Sequence, residues 1–208
     1  MRGAKKRRLI LASASRGRKW VLEQLGLDFD VMLSCVDEEG FNITDPVELV
    51  SRLSLEKARD VAARVGTGSG DGPEDGALVI GSDTVVVQDG EIIGKPRDLE
   101  DARRMLMRLA GRAHEVVSGV ALVEAGSGRC QVDHDITTVR VRDISHDIIE
   151  RYIRTGEPLG KAGAYAIQGR GALIIDGIDG CYFNVVGLPI RKLSDMLMNF
   201  GVELFQPM

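Results

Sequence analysis

The sequence predicts an α/β fold built on a mixed β-sheet with flanking helices. Three observations predict it. Short apolar runs alternate with amphipathic stretches of helical spacing along the chain. Two apolar runs are joined by Asp89-Gly90, a dipeptide that favours a tight antiparallel hairpin, so the sheet is not purely parallel. No segment of about 20–50 residues repeats, which argues against solenoids and propellers.

Taken in order, residues 8–12 (RLILA) read as a short buried strand. Trp20, Val21, Leu22 and Leu25 then place an apolar stripe on a helix over 16–25, and Gly26 supplies its stop. A second strand is expected over 29–35. Asp45, Pro46 and Glu48 form a helix start, with a cap, a first-turn proline and a D-x-x-E box. That helix runs to about Val65, where Gly66 ends it. Residues 77–81 (ALVIG) read as a buried strand, and 85–93 as strand, turn, strand. Asp98 caps a helix ending before Gly111. Long strands are expected over 116–124 and 137–141, and a helix from Ser145 to about Thr155. The glycine-studded stretch 160–187 is expected to hold strands near 172–175 and 182–186. Pro189 opens a last helix, ending before Gly201.

Composition narrows the function. The 208 residues suffice for one large domain or two small lobes, with a core that needs no metal or disulfide. Lys and Arg number 27 against 31 Asp and Glu, a net charge of −4, and aromatics are 4%. That balance argues against nucleic acid as the main partner. MRGAKKRR at the start is read as a solvated basic tail without the apolar run of a signal peptide. No stretch reaches the roughly 18 apolar residues of a membrane span. Cys35, Cys130 and Cys181 are odd in number and form no CxxC pair, so free thiols in a reducing cytosol are expected. His114, His134 and His146 have no metal-ligand spacing and are expected at surface or helix-start positions. Glycine is abundant, 25 residues, and only 66–76 (GTGSGDGPEDG) has the look of low complexity, an exposed loop.

Several short stretches can carry chemistry. In SASRGRK (13–19), Ser13 and Ser15 lie where a strand turns into a helix. Free backbone N–H groups and the positive helix end favour an anion there, and Arg18 adds a charge-assisted contact. The alternative is a serine N-cap with solvated arginines. Asp83 follows the apolar run ALVI, at a strand end where α/β sheets hold ligands; it suits a metal ligand or a base, or else a local turn bond. Lys95 precedes Pro96 in a rigid turn and can serve as a point charge for phosphate, or be an exposed loop lysine. Lys57 reads equally as a surface helix residue, and Asp37-Glu38-Glu39 as a solvated acidic turn. Taken together, several cations, at least two carboxylates and a helix N-terminus fit a metal-bound triphosphate. The G-x-x-x-x-G-K-[ST] and G-x-G-x-x-G fingerprints are absent.

The same stretches resemble one family in order. LASASRGRK, RLSLEKA, VIGSDTVV, GEIIGKPRD, SGVAL, KAGAYAIQG and NVVGLPI resemble the motifs of the Maf family of nucleoside triphosphate pyrophosphatases, from Leu9 to about Gly201. The resemblance implies a single domain over 1–208. Its fold would be like that of the inosine triphosphate pyrophosphatases, an elongated mixed sheet with two lobes around a central cleft, often dimeric. It implies a cytoplasmic enzyme that cleaves between the α and β phosphates with a divalent metal, Mg or Mn. By motif, Asp83 would activate water and Glu38 would help it hold the metal. Ser13, Arg18, Lys57 and Lys95 would bind the phosphate chain. Gly17, Thr84 and Gln168 occupy the positions that choose the base. Thr84 and Gln168 match the branch that prefers dTTP and UTP, whereas Gly17 fits neither branch and Arg16 replaces the family proline. The alternatives are a pyrophosphatase for modified purine nucleotides such as 7-methyl-GTP, or a nucleotide-binding regulator of cell division with weak turnover.

Overall fold

A computed structural model describes residues 7–38, 40–65 and 76–205. The basic tail up to residue 6, Glu39, Gly66 and nearly all of the glycine-rich stretch lie outside the described residues. Seven strands form one mixed sheet in the order β2-β1-β3-β5-β6-β7, with β4 paired to β3. They are β1 Leu9–Leu11, β2 Phe29–Val31, β3 Leu78–Gln88, β4 Glu91–Ile93, β5 Ala113–Glu124, β6 Cys130–Val141 and β7 Ile175–Asp179. β1 is parallel to β2 and β3, and every other pairing is antiparallel. The helices are α1 Arg16–Gln24, α2 Pro46–Val65, α3 Leu99–Leu109, α4 His146–Ile153, α5 Tyr182–Val186 and α6 Ile190–Asn199.

Apolar alternation along β3 and β5 dictates how the sheet is covered. Val79, Val85 and Val87 of β3 meet Val117, Ala121 and Val123 of β5 on the face under α2. That helix buries Val50, Leu53, Ser54, Lys57, Ala58, Val61 and Ala62, a stripe at three- and four-residue spacing. On the opposite face, Leu78, Ile80, Val120 and Leu122 pack beneath α1 and α6. Further along that face Val86, Val116, Val139 and Val141 pack beneath α3 and α4.

Helix starts follow local chemistry. The Arg18 N–H donates to Ser15 Oγ, the Glu48 N–H to Asp45 Oδ1 and the Asp101 N–H to Asp98 Oδ1. Several expectations need correction. The two strands expected over 77–81 and from 85 are one continuous strand, Leu78–Gln88, because β5 pairs with it from Leu78 to Val87. β2 stops at Val31, well short of 35, and β6 begins at Cys130. Residues 169–174 form a 3-10 helix, and the strand there starts only at Ile175.

The stretch expected as a strand over 182–186 is instead α5. Its aromatic and β-branched residues favour a strand, yet a buried asparagine decides otherwise. Asn184 Nδ2 donates to the Val116 carbonyl and to Thr137 Oγ1, and Ser118 Oγ donates to the Asn184 carbonyl. These bonds satisfy polar groups of the sheet from a helical turn. Gly187 then closes the turn at φ 111°, a conformation that suits glycine.

Candidate functional site

The site begins at a gap in the sheet. β1 pairs with β3 only as far as Ile80, and β4 joins the same edge at Val86. Between them residues 81–85 of β3 have no neighbouring strand on that edge among the described residues. A cleft of about 980 Å³ opens there. It is lined by the turn from β1 into α1, the middle of β3, the end of α5 and the segment 157–169. Every residue expected at the site lines this cleft: Ser13, Gly17, Arg18, Glu38, Lys57, Asp83, Thr84, Lys95 and Gln168.

Two carboxylates and two lysines form one charged cluster. Lys57 Nζ lies 2.6 Å from Asp83 Oδ1 and 2.7 Å from Glu38 Oε1. Lys95 Nζ lies 3.0 Å from Glu38 Oε2. Lys57, readable as a surface residue, is 4% exposed. The acidic turn is not simply solvated, since Glu38 bridges both lysines. Burial opposes the Glu38 carboxylate, but hydrogen bonds and charge from Lys57 and Lys95 outweigh it and hold its pKa at about 2. Asp83 is buried, and its Oδ2 has no hydrogen-bond partner among the described residues.

Arg18 organises the other side. Its Nε donates to the Gly187 carbonyl at 2.9 Å, one terminal nitrogen to Ser13 Oγ at 3.1 Å and the other to Thr84 Oγ1 at 3.2 Å. Burial lowers its pKa, countered by the charges of Asp83 and Glu38. Two of its five N–H groups remain to meet a ligand. The alternative readings of SASRGRK are therefore combined: Ser15 caps α1, and Ser13 with Arg18 faces the cleft. Arg16 also lines the cleft, with no hydrogen bond or ion pair among the described residues.

Gly17 has a packing reason. A Cβ there would lie 3.0 Å from the Val186 carbonyl oxygen and 3.1 Å from Val186 Cγ1. The end of α5 thus leaves little room for a side chain. Thr84 Oγ1 is engaged by Arg18 and lies 2.9 Å from Ser118 Oγ. Gln168 presents its carboxamide with no hydrogen bond to any described residue.

The structure adds residues that the motifs did not single out. Ser82 Oγ is within hydrogen-bond distance of the Gly119 and Gly187 carbonyls and ties α5 to the sheet. His114, expected at a surface or a helix start, is instead buried on β5 with Nε2 2.7 Å from the Tyr165 hydroxyl. Its neighbours Ala113 and Glu115 carry no local signal of this, and the sequence predicts the strand only from 116. His146 does open α4. Glu157 and Tyr152 support the segment that carries Gln168, and no local pattern marks either.

Among the described residues no three His, Cys, Asp or Glu side chains converge to cage a metal. Magnesium usually takes one or two carboxylates and completes its shell with phosphate oxygens and water. The hard oxygens of Glu38 and Asp83 fit that requirement. Among the described residues no helix is long and apolar enough to cross a membrane.

Asp83 sits at the middle of β3 and not, as expected, at a strand end; a helix N-terminus, anchored cations and paired carboxylates meet in the recess there, the donor set of a class of proteins that hold phosphate chains. Residues 8–200 match the family model described as Maf-like protein, and the chain belongs to that family. A protein of Acetivibrio thermocellus named dTTP/UTP pyrophosphatase is 45% identical over 199 residues, 96% of this chain and 98% of its own. Proteins of the same name from Pelotomaculum thermopropionicum and Moorella thermoacetica are 47% and 48% identical, over 94% and 95% of this chain and 98% and 97% of their own lengths.

Proposed function

We propose that this protein is a cytoplasmic nucleoside triphosphate pyrophosphatase that hydrolyses dTTP and UTP to the monophosphate and pyrophosphate, with Mg or Mn. The carrying observation is the cluster in which Asp83 keeps one carboxylate oxygen free while Lys57 holds the other at 2.6 Å. The names of relatives that are nearly half identical over nearly their whole length support the choice of substrate. Three free cysteines support a reducing compartment.

Each residue then has a physical task. Ser13, the remaining donors of Arg18 and the N-terminus of α1 bind phosphate oxygens. Lys57 and Lys95 neutralise charge on the phosphate chain. Glu38 and Asp83 would hold the metal, which supplies charge neutralisation and a more acidic water when bound. Asp83 Oδ2 accepts a proton from water as the water oxygen bonds to phosphorus. The bond between the α and β phosphates breaks, and pyrophosphate leaves with the electron pair. Lys57 keeps the Asp83 carboxylate in place. At the other end, the Gln168 carboxamide can pair with the carbonyl and N–H edge of a pyrimidine.

The test is pyrophosphate release from a panel of nucleotides with Mg and with Mn. dTTP and UTP are expected to be cleaved best. Asp83→Asn is expected to lower kcat by at least about a hundredfold with an unchanged circular dichroism spectrum. Equal turnover in that variant would remove Asp83 as the base. Better turnover of 7-methyl-GTP would overturn the substrate, and no release from any nucleotide would favour a binding protein.

A further inference from the structure

One wall of the cleft is an irregular segment between α4 and β7, and it carries Lys161, Tyr165 and Gln168. It contains no strand or α-helix of its own. Tyr165 anchors its middle to the sheet through His114, and the stretch around Gln168 is held by a clasp from two side chains at the segment's root. The Tyr152 hydroxyl, on α4, donates to Glu157 Oε1 at 3.0 Å and accepts from the Ala166 N–H at 3.2 Å. Glu157 Oε1 accepts from the Gly171 N–H at 2.7 Å, and Oε2 from the Arg170 N–H at 3.0 Å.

The captured N–H groups bracket Gln168. They lie two residues before it, at Ala166, and two and three residues after it, at Arg170 and Gly171. The bracket is tight, because a Cβ on Gly171 would lie 2.1 Å from the Ala166 carbonyl and 2.7 Å from the Tyr152 hydroxyl. The Gln168 side chain has no partner of its own among the described residues, so its position depends on the backbone beneath it. A carboxamide discriminates between bases only when held where its donor and acceptor meet the right edge.

We propose that Glu157, acting with Tyr152, is a positioning residue for base selection, holding the backbone on both sides of Gln168; this rests on the pyrophosphatase reading above. Glu157 lines the cleft, but both of its carboxylate oxygens are taken up within the clasp, by the Tyr152 hydroxyl and the Arg170 and Gly171 N–H groups. Its carboxylate is the only group of the clasp that takes two backbone donors, and both lie on the far side of Gln168.

The experiment measures kcat and KM for dTTP, UTP, dGTP and ATP in the wild type, Glu157→Gln, Tyr152→Phe, Gln168→Ala and Glu157→Gln/Gln168→Ala. Glu157→Gln sets an amide where an acceptor is needed, and Tyr152→Phe removes the hydroxyl from the clasp. Each is expected to lower the pyrimidine-over-purine ratio of kcat/KM by roughly tenfold, mainly through a higher KM for dTTP and UTP. In the Gln168→Ala background, Glu157→Gln is expected to lower that ratio no further, since both changes act through one contact. A merely structural role would lower the melting temperature and all four substrates alike. Wild-type ratios in both Glu157→Gln and Tyr152→Phe, or full additivity in the double variant, would overturn the proposal. A wild type that cleaves none of the four nucleotides defeats the pyrophosphatase reading itself. A wild type that cleaves them without base preference defeats only the positioning role.

Discussion

His114 shows how one residue ties the sheet to the cleft. The residue is 3% exposed, its Nε2 meets the Tyr165 hydroxyl, and its Nδ1 has no partner among the described residues. Burial lowers its pKa from 6.5 to about 4. The depressed value sets the sign of the effect on stability. Between pH 6.5 and 4 the unfolded chain binds a proton that the folded chain refuses, so stability falls as the pH falls through that window. Above pH 6.5 the contribution is fully present. The full difference is on the order of 3 kcal/mol. Urea unfolding at pH 7, 5.5 and 4.5 is expected to show this loss in the wild type and a flatter profile in His114→Phe. Parallel profiles would mean that the ring titrates normally in the folded protein.

At the scale of elements, the charged cluster exists because α2 lies almost directly on the sheet. A Cβ at Gly81 would lie 2.0 Å from the Ser54 carbonyl, and one at Gly119 2.3 Å from that of Val50. Two glycines on neighbouring strands thus let the helix backbone approach, and that approach brings Lys57 to Asp83. Gly119→Val is expected to cost at least about 2 kcal/mol in chemical denaturation, because backbone rather than a flexible side chain must move. It is also expected to lower kcat by shifting Lys57 away from Asp83. Unchanged stability would show that α2 can lift without cost.

These elements also show what the sequence made legible. Caps at Asp45 and Asp98 and the apolar stripe of α2 act over a few residues, and they can be read directly. The motif residues of the cleft were legible for the same reason, since each stands in a short distinctive stretch. By contrast, α5 is a helix because Asn184 meets Val116 and Thr137, 68 and 47 residues away. Lys57 is buried because of glycines on two strands, and Glu157 matters because the chain returns to it 13 residues later. No local pattern carries information of that range.

For the molecule as a whole, stability and chemistry have different sources. Apolar clusters cover both faces of the sheet, and Lys57 and Lys95 already balance Glu38 and Asp83. Among the described residues both carboxylates of the cluster already face a lysine, and neither needs a metal to balance it. Treatment with a chelator is therefore expected to abolish pyrophosphate release while moving the melting temperature by less than about 2 °C. Added Mg or Mn is expected to restore turnover. A large thermal shift on chelation would instead make the metal part of the fold.

The gap between β1 and β4 has another side. A bare strand edge normally invites pairing by a second chain, the first step toward fibres and aggregates. Here the exposed stretch of β3 is short and stopped at both ends by other strands. Ser82, Asp83 and Val85 within it are buried, and a carboxylate sits at its centre. An extended peptide finds neither the length nor the access to add itself there. The opening proposed to admit a small polyanion thus stays closed to a foreign strand, and the protein keeps a notch in its sheet without becoming sticky.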